Sequence, residues 1–166
     1  MKYLLVAVIA VALFACKKNS EAPDPIRSED KAKAAALSEF LKSEEFRLTK
    51  YYSDVPIDYI DTDQVVMQET ELWQYVSNWL KDDTYAFEDN GDVMVDQNAV
   101  RYDVDTAAVL TRHFTVAADA EGVGFKFLGH EYQVLDYRLI SFSDTNIVVS
   151  AKWNGKKVIS EYNTVP

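Results

Sequence analysis

The sequence predicts a mainly β fold: an eight-stranded antiparallel up-and-down barrel with an N-terminal helix and a helix inserted between strands 1 and 2. Three observations predict it. Short apolar segments alternate with polar residues from position 84 onward, Asn-Gly dipeptides occur at 90–91 and 154–155, and aromatic residues make up 13% of the chain. Asn-Gly between alternating segments is typical of a tight hairpin, because both residues tolerate positive φ.

Each predicted strand is joined to the next by a short reversal, except where the inserted helix intervenes. The predicted strands cover residues 46–52, 84–89, 92–98, 112–118, 123–128, 131–142, 146–153 and 156–165. Pairing of the first strand with the last would close the barrel and remove its exposed edges. A two-sheet sandwich is the competing architecture, although it would need longer crossover connections. An eight-stranded interior is either filled by side chains or holds one small ligand.

Two helices are predicted from spacing and capping signals. The first covers residues 28–45, with Ser28 as N-cap and with Ala34, Leu37 and Leu41 at helical spacing. A loop at 54–63 containing Pro56 should follow the first strand. The second helix is predicted at 64–81, because Leu72, Val76 and Leu80 lie one turn apart.

The N-terminus has the order of a secretory signal peptide. Lys2 precedes an apolar run at 3–14, and a small residue stands directly before Cys16, the only cysteine. The run is shorter than the roughly 20 residues of a spanning helix. We therefore predict a signal peptide at 1–15, a flexible tether at 16–27 and one folded domain at 28–166. A plain signal with an incidental thiol at Cys16 is the alternative.

Alanine followed by Cys16 resembles the lipobox of bacterial lipoproteins, which implies acyl chains such as palmitate on that thiol. Two further segments, LTKYY at 48–52 and DDTYAFEDNG at 82–91, with the hairpins that follow, resemble the lipocalin-like lipoproteins of Gram-negative bacteria. The resemblance covers about residues 46–165. It implies a lipocalin-like barrel anchored in the cell envelope, in the outer membrane. The G-x-W of true lipocalins is absent from the first strand, where FRL stands at 46–48.

Charge and motifs exclude several function classes. The net charge is −10, and removal of Lys2 with the signal makes the mature chain one unit more negative. This disfavours nucleic acid, which requires clustered Lys and Arg. His113 and His130 lack metal-ligand spacing, and the acidic turns lack calcium-loop spacing, so no metal site is predicted. Nucleotide fingerprints and nucleophile elbows are also missing from the sequence, and we predict neither an enzyme nor a cofactor.

The aromatic residues are the remaining candidates for a binding site. They either fill the core or line a barrel mouth, where flat apolar faces bind a small ligand. The candidate ligand-binding residues are Trp73, Trp79, Tyr85, Phe87, Phe125, Phe127 and Trp153. We expect a lipid-anchored protein that binds a small apolar or amphipathic ligand. The alternative is a structural or interaction lipoprotein whose filled barrel meets another envelope protein, and a hydrolase using loop carboxylates is a third possibility.

Overall fold

The computed structural model describes residues 26–60, 66–102, 107–128 and 134–166. The predicted signal peptide, Cys16 and the tether up to residue 25 lie outside these ranges, so the lipidation of Cys16 stays a prediction. Within the described ranges, no helix is both long enough and apolar enough to cross a membrane.

Eight antiparallel strands form a closed meander barrel, which confirms the predicted fold class. A further strand, β2, pairs with the later part of β1, beyond the short pairing of β1 with β3. The strands are β1 (Glu45–Ile60), β2 (Val66–Glu71), β3 (Thr84–Phe87), β4 (Asp92–Asp96), β5 (Val109–Asp119), β6 (Gly122–Leu128), β7 (Val134–Ser143), β8 (Asn146–Trp153) and β9 (Lys156–Thr164). Each barrel strand pairs with two other barrel strands, as a closed barrel requires and a two-sheet sandwich does not.

The barrel closes through pairing of β1 with β9. The register runs from Phe46 opposite Thr164 to Ser53 opposite Val158. Side chains reinforce it, because the Ser53 hydroxyl donates to the Lys157 carbonyl at 2.7 Å. The predicted pairing of the first and last strands is therefore confirmed, and the barrel encloses an interior.

The segment after the first predicted strand differs from the prediction. β1 continues through positions 54–60 of the predicted loop, and Val66–Glu71 forms β2 rather than part of the predicted helix. Positions 61–65 lie outside the described residues. Pro56 is tolerated because it lies where the register between β1 and β2 shifts, so no ladder bond needs its missing N–H. The free edge of β1 offers backbone partners that override the helical spacing at 66–71.

The inserted helix exists but is short. A 3-10 turn at Trp73–Tyr75 is followed by α2 at Asn78–Asp82. The predicted helical bounds of 64–81 are therefore wrong, while its position between the first two meander strands is right. We call the stretch 72–83 the covering segment, because Leu72 donates its N–H to the Tyr51 carbonyl at 3.0 Å and the segment lies against β1.

The N-terminal helix α1 (Ser28–Ser43) packs across one end of the barrel. Its buried face consists of Asp30, Ala34, Leu37 and Leu41, of which the three apolar residues join the barrel core. Arg27, not Ser28, occupies the N-cap position, and its side chain forms an ion pair with Asp30 at 2.7 Å. The predicted N-cap, Ser28, is therefore the first residue of the helix, one position after the actual N-cap.

The two Asn-Gly turns have different geometries. Asn154 and Gly155 both have positive φ, 49° and 77°, as a type I′ turn requires. At 90–91 only Gly91 does, with φ 86°, and its N–H donates to the Glu88 carbonyl at 3.1 Å. This is a type I turn followed by a left-handed glycine, a longer hairpin loop than the tight turn with two positive φ values that Asn-Gly predicts.

Aromatic rings fill the end of the barrel that α1 covers, which we call the closed end. Edge-to-face contacts join Phe87 to Phe114 at 4.9 Å and Phe40 of α1 to Phe46 at 5.3 Å. Such contacts add to the hydrophobic gain of burying each ring. The closed end is therefore a packed core.

Candidate functional site

A cavity of about 570 Å³ occupies the other half of the barrel, at the end that we call the open end. This end carries the turn at 154–155 and the covering segment. The walls come from inward-facing residues of the strands and from the covering segment; those on the strands include Leu48, Tyr51, Tyr85, Val95, Leu110, Arg112, Phe127, Leu135, Tyr137, Ala151, Val158, Ser160 and Tyr162. The volume is in the usual range for small-molecule sites, roughly 300–1,000 Å³.

Smaller side chains explain why this half is hollow. Where the closed end has phenylalanines, the open end has Val95, Ala151 and Ser160 at inward positions. Eight strands fix the barrel width, so shorter side chains leave space that the opposite wall does not fill. The void thus follows from the sequence of inward residues.

Four tyrosines on the barrel strands give the apolar cavity a set of hydroxyl groups. Tyr51, Tyr85, Tyr137 and Tyr162 all line it, and the hydroxyls of Tyr137 and Tyr162 lie 3.3 Å apart. Burial raises the pKa of Tyr51 to about 12 and the pKa values of Tyr85 and Tyr162 well above 10. These groups are therefore neutral hydrogen-bonding groups at ordinary pH.

A buried carboxylate lies next to this cluster. Asp83, at the end of the covering segment, has no exposed surface, and the Tyr85 hydroxyl donates to its Oδ2 at 3.5 Å. The charge of Asp83 is the second cause, after burial, of the raised pKa of Tyr85. The contact ties the covering segment to the cavity wall.

Arg112 brings a positive charge to the cavity. On β5 it lies between the inward residues Leu110 and Phe114, and its cross-strand partner Val93 is completely buried. Alternation along the strand therefore points its side chain inward. Among the inward positions that the structure describes on the barrel strands, Arg112 is the charged one.

Exposed apolar side chains surround the mouth of the cavity. Val134 is 64% exposed and Trp153 is 41% exposed, and both line the cavity. Trp79 of the covering segment also lines it and packs edge-to-face on Tyr102 at 5.0 Å. Tyr102 itself and Val109 are exposed at the same end. An apolar molecule entering there would remain in contact with apolar surface.

The structure divides the seven predicted ligand-binding residues. Trp79, Tyr85, Phe127 and Trp153 line the cavity, and their role in binding stays a prediction. The remaining three lie elsewhere. Phe87 and Phe125 belong to the packed closed end, with ring centroids 5.6 Å apart, and Trp73 packs outside the cavity with Lys81 5.1 Å from its ring centroid.

Sequence reasoning missed four tyrosines of the cavity, Tyr51, Tyr75, Tyr137 and Tyr162, and also Arg112. Leu48 and Tyr51 both face inward although three positions separate them, because a bulge in β1 shifts the alternation. On β7, Leu135 and Tyr137 face inward, whereas Val134 is exposed at the mouth. Strict alternation from Tyr137 was the signal that could have identified the correct face.

Comparison with known proteins identifies no relative. No protein-family model matches the chain, and no curated protein is similar to it. The barrel with its N-terminal helix is compatible with a lipocalin-like fold. Across the described residues, no three His, Cys, Asp or Glu side chains are grouped as a metal site would require.

Proposed function

We propose that this protein binds a small apolar or amphipathic molecule in the open half of its barrel. The cavity of about 570 Å³ carries the proposal. Its walls combine aliphatic and aromatic surface with a few hydroxyls, the composition of a site that takes an apolar ligand and orients it by hydrogen bonds. The alternative role as a filled interaction barrel needs a packed interior, and only the closed end has one.

The proposed role is non-enzymatic. The proposal also includes the location: a lipocalin-like lipoprotein of the Gram-negative envelope, attached to the outer membrane through acyl chains on Cys16. The signal-like segment at 1–15 and the alanine before Cys16 support this location.

Ligand binding is tested with decanol as the probe, because Trp79 and Trp153 at the cavity report occupancy through their fluorescence. We expect saturable quenching or enhancement in the wild type. Ala151→Phe fills the cavity and should abolish the signal, whereas Ala117→Phe places the same ring on the exposed outer face and should not. Equal binding by both variants, with both folded, would contradict the proposal.

The anchor is tested separately with Cys16→Ser. The wild type should incorporate labelled palmitate in cells and partition with membranes, whereas the variant should accumulate as an unlabelled precursor. The Cys16 hypothesis would be wrong if the variant were labelled as strongly as the wild type. This outcome would leave the cavity proposal untouched.

A further inference from the structure

Four hydroxyl-bearing side chains in the cavity form a group that we call the hydroxyl cluster: Tyr51, Tyr137, Ser160 and Tyr162. Tyr51 on β1 lies directly opposite Ser160 on β9, so their side chains project from the same face of the sheet. Tyr162 lies further along β9 on that face, and its hydroxyl is 3.3 Å from that of Tyr137. The strand register therefore brings the four groups together.

The hydroxyl cluster marks the inner end of the cavity. Tyr162 also borders the packed closed end, where it lines a small gap together with Phe46. Lys156, which pairs with Trp153 beside the open-end turn, lies about 20 Å from Tyr162 along β9 at roughly 3.3 Å per residue. A head group held at the cluster would therefore leave its chain to extend toward the exposed residues Val134 and Trp153.

The Tyr51 hydroxyl is available to a ligand. Across the described residues it has no hydrogen-bond partner, although burial and the nearby Tyr137 raise its pKa to about 12. Its proton therefore stays on the oxygen at ordinary pH and can be donated to an acceptor in the cavity. In the rest of the cluster, Tyr137 contacts both Tyr162 and Ser160. Two contacts among three hydroxyls use two protons, so one more proton remains for an acceptor.

The charged side chains at the cavity do not offer an ion pair to a head group at the hydroxyl cluster. The Arg112 guanidinium donates to the Thr111 carbonyl at 2.9 Å in an exposed contact and has a further interaction. The Asp136 carboxylate is paired with Lys126 at 2.8 Å, and Lys152 is exposed at the mouth. A charged head would therefore lose its hydration without gaining an opposite charge from these groups.

The buried carboxylate of Asp83 further opposes a negative head. It has no exposed surface and accepts the hydroxyl proton of Tyr85 at 3.5 Å. Tyr85 packs edge-to-face on Tyr162 at 5.9 Å, so one side chain separates Asp83 from the hydroxyl cluster. Like charges repel more strongly in a partly dry interior than in water, and an uncharged head avoids this cost.

We propose that the cavity takes a single-chain amphiphile with an uncharged oxygen head, an alcohol or a carbonyl group, and that Tyr51 donates a hydrogen bond to the head oxygen. The apolar chain extends from the hydroxyl cluster toward the mouth. This inference rests on the proposed function, and it adds the class of the head group and its position in the cavity.

Three ten-carbon probes that differ in head charge test the class of ligand: decanol, decanoate and decylammonium. Each is titrated at neutral pH below the concentration at which it aggregates, and binding is followed by tryptophan fluorescence. The wild type should bind decanol about tenfold more tightly than either ion or better, since hydroxyl groups alone replace the hydration of an ion poorly. Decanoate or decylammonium binding as tightly as decanol overturns the uncharged class.

Tyr51→Phe tests the hydrogen bond, because it removes the hydroxyl and keeps the ring. It should weaken decanol binding about threefold to tenfold, as the loss of one neutral hydrogen bond does. Binding of toluene, which has no acceptor oxygen and is followed by calorimetry, should not change. Tyr52→Phe is the matched control and should affect neither probe, because the Tyr52 hydroxyl donates to Glu161 at 3.1 Å, away from the cavity lining. Unchanged decanol binding by Tyr51→Phe, or an equal loss of both probes, overturns the role of Tyr51.

The outcomes separate this inference from the proposed function. If the wild type binds either ion as tightly as decanol, the cavity is a ligand site and only the uncharged class is wrong. If it binds none of the probes, toluene included, the proposed function itself fails. Because the Tyr51 hydroxyl bonds no described residue, Tyr51→Phe should melt at the wild-type temperature. A clearly lower melting temperature would show that this hydroxyl stabilises the barrel, and would overturn its assignment to a ligand.

Discussion

The two halves of the barrel share their strands but differ in what their inward residues do. The closed end contains phenylalanines that contact one another and the apolar face of α1. The open end contains tyrosines, small side chains and Arg112 around a void. The difference shows that one continuous sheet can be tightly packed at one end and hollow at the other, according to the size and polarity of alternate residues.

The largest expected effect comes from alkaline pH, which should act through the open half. Its buried tyrosines have pKa values raised above the ordinary 10, to about 12 for Tyr51. Below pH 10 folded and unfolded chains both keep these protons, so stability is unaffected. Above pH 10 the unfolded chain loses protons that the folded chain retains, so the free energy of unfolding falls as pH rises toward 12.

Tyrosinate absorbance and circular dichroism, recorded together from pH 9 to 12, check this expectation. The buried phenols should ionise in the same transition in which the fold is lost. Smooth ionisation near pH 10 with an intact fold would show that the cavity tyrosines on the barrel strands are open to water, and would contradict the contrast between the two halves.

Matched Leu→Ala changes measure packing in the two halves. Leu37 of α1 has no exposed surface, so Leu37→Ala should cost about 2–5 kcal/mol of unfolding free energy by leaving a hole in a packed core. Leu110 borders an existing cavity and is only partly buried, so Leu110→Ala should cost about 1 kcal/mol or less. Chemical denaturation of both variants provides the comparison. Equal costs would mean that the open half is as tightly packed as the closed one.

Turn glycines at the two ends should show the smallest contrast, because their strain is local. Gly91 lies at the closed end and Gly155 at the open end, with φ of 86° and 77°. A valine at either position must adopt a φ that β-branched residues resist, so each Gly→Val variant should lose about 1–3 kcal/mol. Thermal melting of both variants measures it. A wild-type melting temperature for either variant would contradict the positive φ at that turn.

The barrel was predictable because its signals are local. Alternation places Tyr85 and Phe87 on one face, and Asn-Gly dipeptides fix two hairpins, so neither needs knowledge of distant residues. β2 was not predictable, since Val66–Glu71 becomes a strand only where the edge of β1 receives it. The cavity was half predictable. Tyr51 faces the cavity because of a bulge that shifts the alternation in β1, and the void depends on which side chains face one another across the barrel.

The short pairing between β1 and β3 affects how a ligand would enter and leave the cavity. Only Glu45 opposite Ala86 and Phe46 opposite Tyr85 pair along this seam, whereas β1 pairs with β9 from Phe46 to Ser53. Beyond Phe46 the covering segment lies over the gap. Few ladder bonds join β1 to β3, so resistance to a lateral opening there comes mainly from the covering segment, whose Asp82 carboxylate accepts from the N–H groups of Ala99 and Val100 at 2.8 and 2.9 Å. A bound molecule would then leave between β1 and β3, and its residence time would depend on how often the covering segment moves away from that gap.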